Sequence, residues 1–307
     1  MNHRQLIAAL TPLHGAGEAR AIVRMVMEER FHLTQTDLLL GKDTELSSTD
    51  LAELEKIAHR LLTGAPVQHV LGYADFCGLR FRVTPDVLIP RPETSELVRW
   101  AIDTLQAVTP LATDTPKRHV STPFSLIDFC TGSGCIAITL ALTFPQAHVL
   151  AVDISDAALD VARHNAAVMG ATNVTFLQQD ILQSSCAAEG NPQSYFDDVC
   201  SSLIIANPPY VRQSEASDIV PTVLDHEPSI ALFVPDDDPL CFYRAIARIA
   251  RQRLATDGFV MTELNAALAE PTRQLFIEEG YTDVTLRDDQ FGRPRFLRAR
   301  AANRSCH

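Results

Sequence analysis

Four consecutive residues, Asn207-Pro208-Pro209-Tyr210, have the side chains and the backbone character needed to hold a planar polar group. They follow the apolar run 202–206, which is typical of a buried strand in a parallel sheet. Neither proline can donate to a sheet ladder and each fixes its own φ angle, so the loop after the strand is stiff. The Asn207 side-chain oxygen and the Pro208 carbonyl can both accept from one NH₂ group, and Tyr210 can form a wall beside it.

A second candidate site is the turn 130–134, which reads Cys-Thr-Gly-Ser-Gly and follows a predicted strand. Glycines in such a turn let a ligand approach the backbone closely. Asp153 ends the next predicted strand, where a carboxylate suits ribose hydroxyls, and Asp180 ends the third, where it can bind an adenine amine. The dinucleotide pattern G-x-G-x-x-G is incomplete, because Ile136 and Ala137 follow the second glycine. An adenosyl cofactor is therefore favoured over a dinucleotide.

The two sites together predict a methyl transfer. The NH₂ group of a carboxamide or a nucleobase is a poor nucleophile because its lone pair is delocalised. Two acceptors on that nitrogen would fix its orientation, which is catalysis by proximity and electrostatics. The sulfonium of S-adenosyl-L-methionine already carries an activated methyl group, and the surplus proton can leave after transfer. A dedicated strong base is therefore not required.

Strands and helices alternate from residue 124 onward, and this alternation positions both sites. Predicted strands cover 124–129, 148–154, 173–180, 203–207 and 258–264, and a last pair covers 281–286 and 295–300. Predicted helices cover 135–144, 155–170 and 240–254. Prolines and polar residues predict loops over 109–123 and 184–196. The alternation predicts an α/β fold, with a mostly parallel sheet covered by helices on both faces.

The first 90 residues have a different character. Residues 1–70 predict a small helical bundle, with apolar residues at helical spacing over 19–27 and 51–61 and helix caps at Thr34 and Ser47. Residues 71–90 predict a β-hairpin linker, and a helix is expected to start near Thr94. The catalytic domain then spans 91–302. The bundle either stabilises the fold as a cap or recognises the substrate, and the two interpretations are evenly matched.

Composition restricts the partners. The net charge of −12 over 307 residues argues against stable nucleic-acid binding, which needs a basic surface. The seven cysteines include no C-x-x-C pair and the histidines no H-E-x-x-H spacing, so neither a metal site nor a disulfide framework is expected. The absence of a signal peptide and of a long apolar segment indicates a cytoplasmic protein without a membrane span.

Several motifs resemble one protein family. They are Leu-Ile-Pro-Arg-Pro-Glu-Thr at 88–94, Thr-Gly-Ser-Gly-Cys at 131–135, Ala-Val-Asp-Ile-Ser at 151–155 and Asn-Pro-Pro-Tyr at 207–210. In these the chain resembles the protein-(glutamine-N5) methyltransferases of peptide-chain release factors, the HemK/PrmC family. Asn-Pro-Pro-Tyr alone is shared with DNA adenine and rRNA guanine methyltransferases. The Arg-Pro-Glu-Thr segment is more specific, and the resemblance covers nearly the whole chain.

The resemblance implies a class I, Rossmann-like methyltransferase fold with a seven-stranded sheet, S-adenosyl-L-methionine as cofactor and a release factor as protein substrate. It assigns the methionyl end of the cofactor to the turn, formed by Cys130, Thr131, Gly132, Ser133 and Gly134. It assigns the ribose to Asp153 and the adenine to Asp180 and Ile181. Asn207 also borders the cofactor. The family usually has glycine where Cys130 stands, and a Cβ there restricts φ or crowds the cofactor.

The same resemblance assigns the substrate. The glutamine amide of the Gly-Gly-Gln motif is held by the strand exit, that is by Asn207, Pro208, Pro209 and Tyr210. The site entrance is shaped by Arg91, Glu93 and Thr94, which can alternatively anchor the linker through ion pairs. The hypothesis is thus methylation of a release-factor glutamine by a monomeric enzyme. Two alternatives are an exocyclic-amine methyltransferase acting on DNA adenine or rRNA guanine, and a cofactor-binding protein that has lost transfer.

Overall fold

The computed structural model describes residues 1–108, 124–184 and 200–301. Four helices form the N-terminal bundle: α1 His3–Phe31, α2 Gln35–Leu39, α3 Ser48–Leu62 and α4 Val67–Leu71. Thr34 and Ser47 cap α2 and α3 as predicted, each accepting from the backbone N–H three residues later. Helix α1 begins earlier than the periodicity indicated and is kinked at Gly15, where φ is 76°.

The predicted apolar faces of the bundle are buried with one exception. Ala19, Ile22, Val23, Val26 and Met27 pack against Leu54, Ile57, Ala58 and Leu61 in one core cluster. Leu51, at the start of the second predicted face, is instead 37% exposed. It lies in the first turn of α3, before the helix reaches its neighbours, so helical spacing alone misplaced it.

A short antiparallel hairpin follows, with β1 at Tyr73–Phe76 and β2 at Leu79–Arg82. Its turn residues Cys77 and Gly78 both have positive φ, 51° and 78°, as the primed two-residue hairpin turns require. Asn165 fastens the hairpin to the rest of the molecule. Its carboxamide accepts from the Arg82 N–H at 2.8 Å and donates to the carbonyls of Arg82 and Ser133.

The main sheet has seven strands in the order β10-β11-β9-β6-β3-β4-β5. These strands are β3 Ser125–Phe129, β4 His148–Asp153, β5 Val174–Gln178, β6 Ser201–Ala206, β9 Leu254–Glu263, β10 Thr282–Asp288 and β11 Pro294–Arg300. The run β9-β6-β3-β4-β5 is parallel, whereas β11 is antiparallel to both β9 and β10. The predicted mostly parallel sheet is confirmed.

Helices cover both faces of this sheet. They are α5 Pro92–Val108, α6 Cys135–Thr143, α7 Asp156–Met169, α8 Ile181–Ser184, α10 Cys241–Arg253 and α11 Ala269–Glu278. Two apolar cores result, one beneath α5 and α6 and the other beneath α10 and α11. Strand β3 is buried on both faces from Leu126 to Phe129, a stretch that includes one charged residue, Asp128.

The sequence-based elements differ from the structure in several places. Helix α11 was not predicted at all, and β9 begins at Leu254 rather than at 258. Between β6 and α10 lie helix α9, Pro221–His226, and a two-strand parallel pair formed by β7, Val211–Arg212, and β8, Phe233–Val234, which the sequence patterns also missed. The predicted loop 109–123 and most of the loop 184–196 lie outside the described residues.

Candidate active site

The sheet order places the predicted site residues side by side. The parallel strands β9, β6, β3, β4 and β5 all end at one edge, where open α/β sheets bind ligands. The residues at or just beyond those ends are, in the same order, Glu263, Asn207, Cys130, Asp153 and Asp180. A cleft of about 1160 Å³, including its open mouth, lies along this edge. Residues far apart in the sequence therefore border one space.

The turn after β3 is held in a left-handed backbone conformation. Cys130, Gly132 and Gly134 have φ angles of 57°, 55° and 81°. The Thr131 N–H donates to the Val152 carbonyl at 3.0 Å, which joins the turn to the neighbouring strand β4. Positive φ is cheap for glycine and strained for a residue with a Cβ. Cys130 therefore adopts a backbone conformation that favours glycine.

Crowding distinguishes the two glycines of this turn. A Cβ on Gly134 would lie 2.8 Å from Ile138 Cδ1 and 3.0 Å from Ala162 Cβ, so this glycine permits helices α6 and α7 to approach. A Cβ on Gly132 would meet no heavy atom within 4 Å, although Gly132 lines the cleft. Gly132 thus leaves open space for a ligand, while Gly134 serves the packing behind the turn.

Asp128 holds the turn from below and was not among the predicted site residues. It is fully buried at the end of β3, and its Oδ2 accepts from Thr131 Oγ1 at 2.6 Å and from the Ala137 N–H at 3.1 Å. Burial raises the pKa of this carboxyl to about 7, against the lowering effect of those two bonds. An aspartate two residues before a glycine turn, inside an otherwise apolar strand end, was the signal in the sequence that could have identified it.

Asp153 faces the cleft from the end of β4. Its Oδ2 accepts from the Gly132 N–H at 2.8 Å and its Oδ1 from the Ser155 N–H at 3.0 Å. Burial raises the pKa of Asp153 above its usual value, while these backbone bonds favour its charged form. Each carboxylate oxygen has a second lone pair, so Asp153 can accept from hydroxyl groups of a ligand as well.

Asn207 belongs to a chain of hydrogen bonds that the sequence did not reveal. Its Nδ2 donates to Thr94 Oγ1 at 3.0 Å, and Thr94 Oγ1 donates to Glu263 Oε2 at 2.7 Å. The other carboxylate oxygen, Oε1, accepts from the Tyr210 hydroxyl at 3.1 Å. Glu263 lies in the predicted strand 258–264 and was not among the predicted site residues. No local signal could have connected it with Asn207, because 56 positions and two strands separate them.

The electrostatics of this chain are those of a buried carboxylate. Glu263 is 1% exposed, and burial raises its pKa above the usual value. The bonds from Thr94 and Tyr210 and the charge of Arg295 act in the opposite direction, and the charge of Glu93 adds to the rise. Burial and the neighbouring Glu263 also raise the pKa of Tyr210, so its hydroxyl stays protonated and acts as a donor.

Arg91 forms a partly buried ion pair on the cleft wall. Its Nη2 lies 2.6 Å from Oε1 of Glu227, whose side chain is 1% exposed. The other oxygen of Glu227 accepts from the Ile89 N–H at 3.1 Å. The structure therefore ties the segment 89–91 to the region that follows α9. This ion pair is of the kind that the anchoring interpretation of Arg91 required.

The cleft collects most, but not all, of the predicted site residues. Those that line it are Arg91, Thr94, Cys130, Thr131, Gly132, Ser133, Asp153, Asp180, Ile181, Asn207 and Pro209. Those that do not are Glu93, Gly134, Pro208 and Tyr210. The Tyr210 hydroxyl is bonded to Glu263, so the tyrosine supports the strand exit from behind. Ile230 and Phe242 line the cleft as well and were not predicted.

Residues 1–108, 124–184 and 200–301 contain five cysteines and eight histidines. No group of three or more histidine, cysteine or acidic side chains in these ranges is arranged to hold a metal ion. The cysteines within them, Cys77, Cys130, Cys135, Cys200 and Cys241, are free thiols. No helix in the same ranges has the length and apolar character needed to cross a membrane.

A seven-stranded sheet of this order, with an adenosyl-type cleft at its carboxyl edge, defines a methyltransferase with a Rossmann-like fold. A family model described as a methyltransferase domain matches residues 123–236. The catalytic domain of hMettl16, solved in complex with MAT2A 3′UTR hairpin 6, has the same fold. Its TM-score is 0.52 at 16% identity, over 75% of this chain and 76% of that one.

The family follows from closer relatives. A model described as the PrmC N-terminal domain matches residues 5–72. The release factor glutamine methyltransferase of Bacteroides thetaiotaomicron is 39% identical over 95% of this chain and 96% of its own length. That of Flavobacterium psychrophilum is 36% identical over 97% of each chain. This chain belongs to the release factor glutamine methyltransferase family. The family resemblance and the fold class predicted from the sequence are both confirmed.

Proposed function

We propose that this methyltransferase transfers a methyl group from S-adenosyl-L-methionine to the side-chain amide nitrogen of the glutamine in the Gly-Gly-Gln motif of peptide-chain release factors. Two relatives that match nearly the whole chain carry the name release factor glutamine methyltransferase. One structural observation supports the chemistry most directly. Asn207 borders the cleft with its Nδ2 bonded to Thr94, and no described residue donates to its Oδ1. That oxygen suits the NH₂ group of a carboxamide.

The cleft fits the cofactor. Gly132 presents open space where a side chain would stand, and Asp153 can accept from the two ribose hydroxyls. Asp180 and Ile181 line the part of the cleft assigned to adenine, and the turn 130–134 is assigned to the methionyl end. When bound, S-adenosyl-L-methionine supplies a methyl group already activated by its sulfonium.

The contribution of the chain is to orient the substrate nitrogen. Asn207 Oδ1 and the Pro208 carbonyl accept from the glutamine NH₂ group and so fix the direction of its lone pair. Because both acceptors belong to a stiff strand exit, little reorganisation is needed when charge develops on the nitrogen. The surplus proton leaves to solvent after transfer. Tyr210 and Pro209 complete the strand exit that holds the glutamine amide.

The remaining roles concern the protein substrate. We assign its recognition to the bundle 1–70, joined by the hairpin linker 71–90 to a catalytic domain over 91–302. Arg91, Glu93 and Thr94 shape the entrance to the site. Arg91 combines this role with anchoring, through its ion pair to Glu227. The enzyme acts as a monomer and does not bind nucleic acid stably, in keeping with its net charge of −12.

The substrate can be identified with methyl-labelled cofactor. The protein is incubated with a release factor, with the same factor carrying Gln→Ala in its Gly-Gly-Gln motif, and with DNA and rRNA. We expect label on the unmodified factor alone. Label on nucleic acid would establish the exocyclic-amine alternative instead, and cofactor binding without any label would support a binding protein that has lost transfer.

The role of Asn207 can be tested separately. Asn207→Ala removes the acceptor at the reacting nitrogen, so we expect the transfer rate to fall by at least ~100-fold, as when one key catalytic hydrogen-bond partner is deleted. Cofactor affinity, measured by calorimetry, should stay within a few-fold because Asp153 and the turn are untouched. Unchanged turnover would refute the assigned role.

A further inference from the structure

The orientation of the Asn207 carboxamide decides whether an oxygen or an NH₂ group faces the substrate. The two orientations have nearly the same shape but opposite hydrogen-bonding character. A glutamine NH₂ group needs an acceptor, so only one orientation is competent. In the structure the competent orientation is present, because Nδ2 donates to Thr94 and Oδ1 is left for the substrate.

Counting protons shows what selects this orientation. The Thr94 hydroxyl has one proton, and it donates that proton to Glu263 Oε2 at 2.7 Å. Towards Asn207, at 3.0 Å, it can then only accept. Glu263 is held as an acceptor on both oxygens, since the Tyr210 hydroxyl donates to Oε1. The direction of every bond in the chain therefore follows from the carboxylate.

We infer that Glu263 is a positioning residue, which acts through Thr94 to fix the acceptor end of the Asn207 carboxamide towards the substrate nitrogen. This inference rests on the proposed function and adds to it the device that aligns the key side chain. All three side chains lie on different elements: Thr94 in α5, Glu263 at the end of β9 and Asn207 after β6. Thr94 and Glu263 are 2% and 1% exposed, so solvent cannot easily replace either bond.

Glu263→Gln is a sharp test because it reverses the direction of the hydrogen bonds that join position 263, Thr94 and Asn207 without removing any of these bonds. With the new NH₂ group towards Thr94, the hydroxyl accepts from Gln and donates to Asn207 Oδ1, while Tyr210 still donates to the remaining oxygen. If the new NH₂ group faced Tyr210 instead, the Tyr210 hydroxyl would lose the oxygen to which it now donates. The reversed chain keeps the same number of hydrogen bonds as the wild type and leaves only the second proton of the new NH₂ group without a named partner, so we expect the thermal midpoint to change by less than about 4 °C.

The activity should respond very differently. In the reversed chain Asn207 presents its NH₂ group to the substrate, and the competent orientation becomes the minor one. We expect kcat/KM for the release factor to fall by roughly tenfold to a hundredfold, with the cofactor Kd within about threefold of the wild type. Thr94→Val should give a similar loss, and Thr94→Ser should restore the rate to within about threefold of the wild type.

A double variant tests whether Glu263 acts through Thr94, and a distant carboxylate provides a control. In the double variant Glu263→Gln with Thr94→Val, the losses of kcat/KM seen in the two single variants should not add. Glu263 acts only through the Thr94 hydroxyl, which the valine has already removed. Glu279→Gln is the control for removing a carboxylate, since Glu279 pairs with Arg248 and Arg251 on helix α10 rather than with the cleft. Its rate should match that of the wild type.

A spectroscopic measurement separates this inference from the proposed function. The ¹⁵N signal of the Asn207 side-chain amide is identified by its loss in Asn207→Ala. One of its protons should exchange slowly with solvent in the wild type and quickly in Glu263→Gln. If the wild type labels no release factor, the proposed function fails, and the exchange rates still decide the orientation. Unchanged exchange, or wild-type transfer by Glu263→Gln, would overturn the inference.

Discussion

Alanine in place of Gly132 or of Gly134, both in the turn 130–134, should damage the protein in different ways. Both Gly132 and Gly134 have positive φ, so each alanine pays the cost of a left-handed backbone. Their surroundings differ. The new Cβ at 134 would lie 3.0 Å from the Cβ and 3.3 Å from the Cα of Ala162, and the Cβ at 132 would meet nothing within 4 Å. One substitution tests packing and the other tests ligand space.

The magnitudes follow from these distances. A left-handed alanine costs about 1–2 kcal/mol relative to glycine. At position 134 the Ile138 methyl group can rotate away, but the backbone of Ala162 cannot, so helix α7 must shift. Overpacking of this kind adds about 1–3 kcal/mol. Gly134→Ala should therefore lower the free energy of unfolding by roughly 2–5 kcal/mol, and Gly132→Ala by only about 1–2 kcal/mol.

Urea unfolding and cofactor titration measure the two effects independently. Gly170→Ala supplies the baseline, because Gly170 has φ of 71°, open surroundings and a position at the end of α7 away from the cleft. We expect Gly132→Ala to match this baseline in stability but to weaken cofactor binding by about tenfold, the equivalent of 1.4 kcal/mol. Equal stability losses for Gly132→Ala and Gly134→Ala would refute the crowding argument, and unchanged affinity in Gly132→Ala would refute the ligand-space argument.

Two further predictions concern buried charges. Burial raises the pKa of Asp128 to about 7 from 3.8, so the folded state keeps a proton that the unfolded chain releases, and stability falls as pH rises through this interval. Between pH 5 and pH 8 the wild type should lose roughly 2–3 kcal/mol more than Asp128→Asn in urea unfolding; equal losses would contradict the assignment. Arg91→Ala should cost about 2–4 kcal/mol by leaving Glu227 buried without its partner, and adding Glu227→Gln should cost less than the sum of the single variants. Additive losses would show that the pair does not couple.

The fold was predictable where the sequence signal is local. The alternation of apolar runs with turn residues predicted the parallel strands, and the caps at Thr34 and Ser47 predicted two helix starts. Helix α11 was missed although Pro271 lies within its first turn, where proline is tolerated, and although Ala269, Thr272, Leu275 and Phe276 form its buried face. Strands β7 and β8 contain two residues each, which is too short for any periodicity.

The candidate site was predictable only for residues adjacent to a strand end or a glycine turn. Asp153 and Asn207 carry that signal in their neighbours. Glu263 does not, because its link to Asn207 is the Thr94 hydroxyl, which reaches it from a position 169 residues away. Ile230 and Phe242 likewise enter the cleft through tertiary packing. A sequence pattern can locate the ends of strands, but it cannot show which side chains are hydrogen-bonded to each other across neighbouring strands.

Two of the residues that the sequence did not reveal, Asp128 and Glu263, are buried carboxylates that hold neighbouring groups in place. Asp128, next to the end of β3, holds the turn 130–134, and Glu263, at the end of β9, holds the Asn207 carboxamide through Thr94. Strand β6 lies between them in the sheet, so Asn207 is flanked by the two carboxylates. A buried carboxylate is costly and is weak evidence for stability. For Glu263 orientation is the better explanation, because a carboxylate that accepts on both oxygens dictates the direction of every hydrogen bond attached to it.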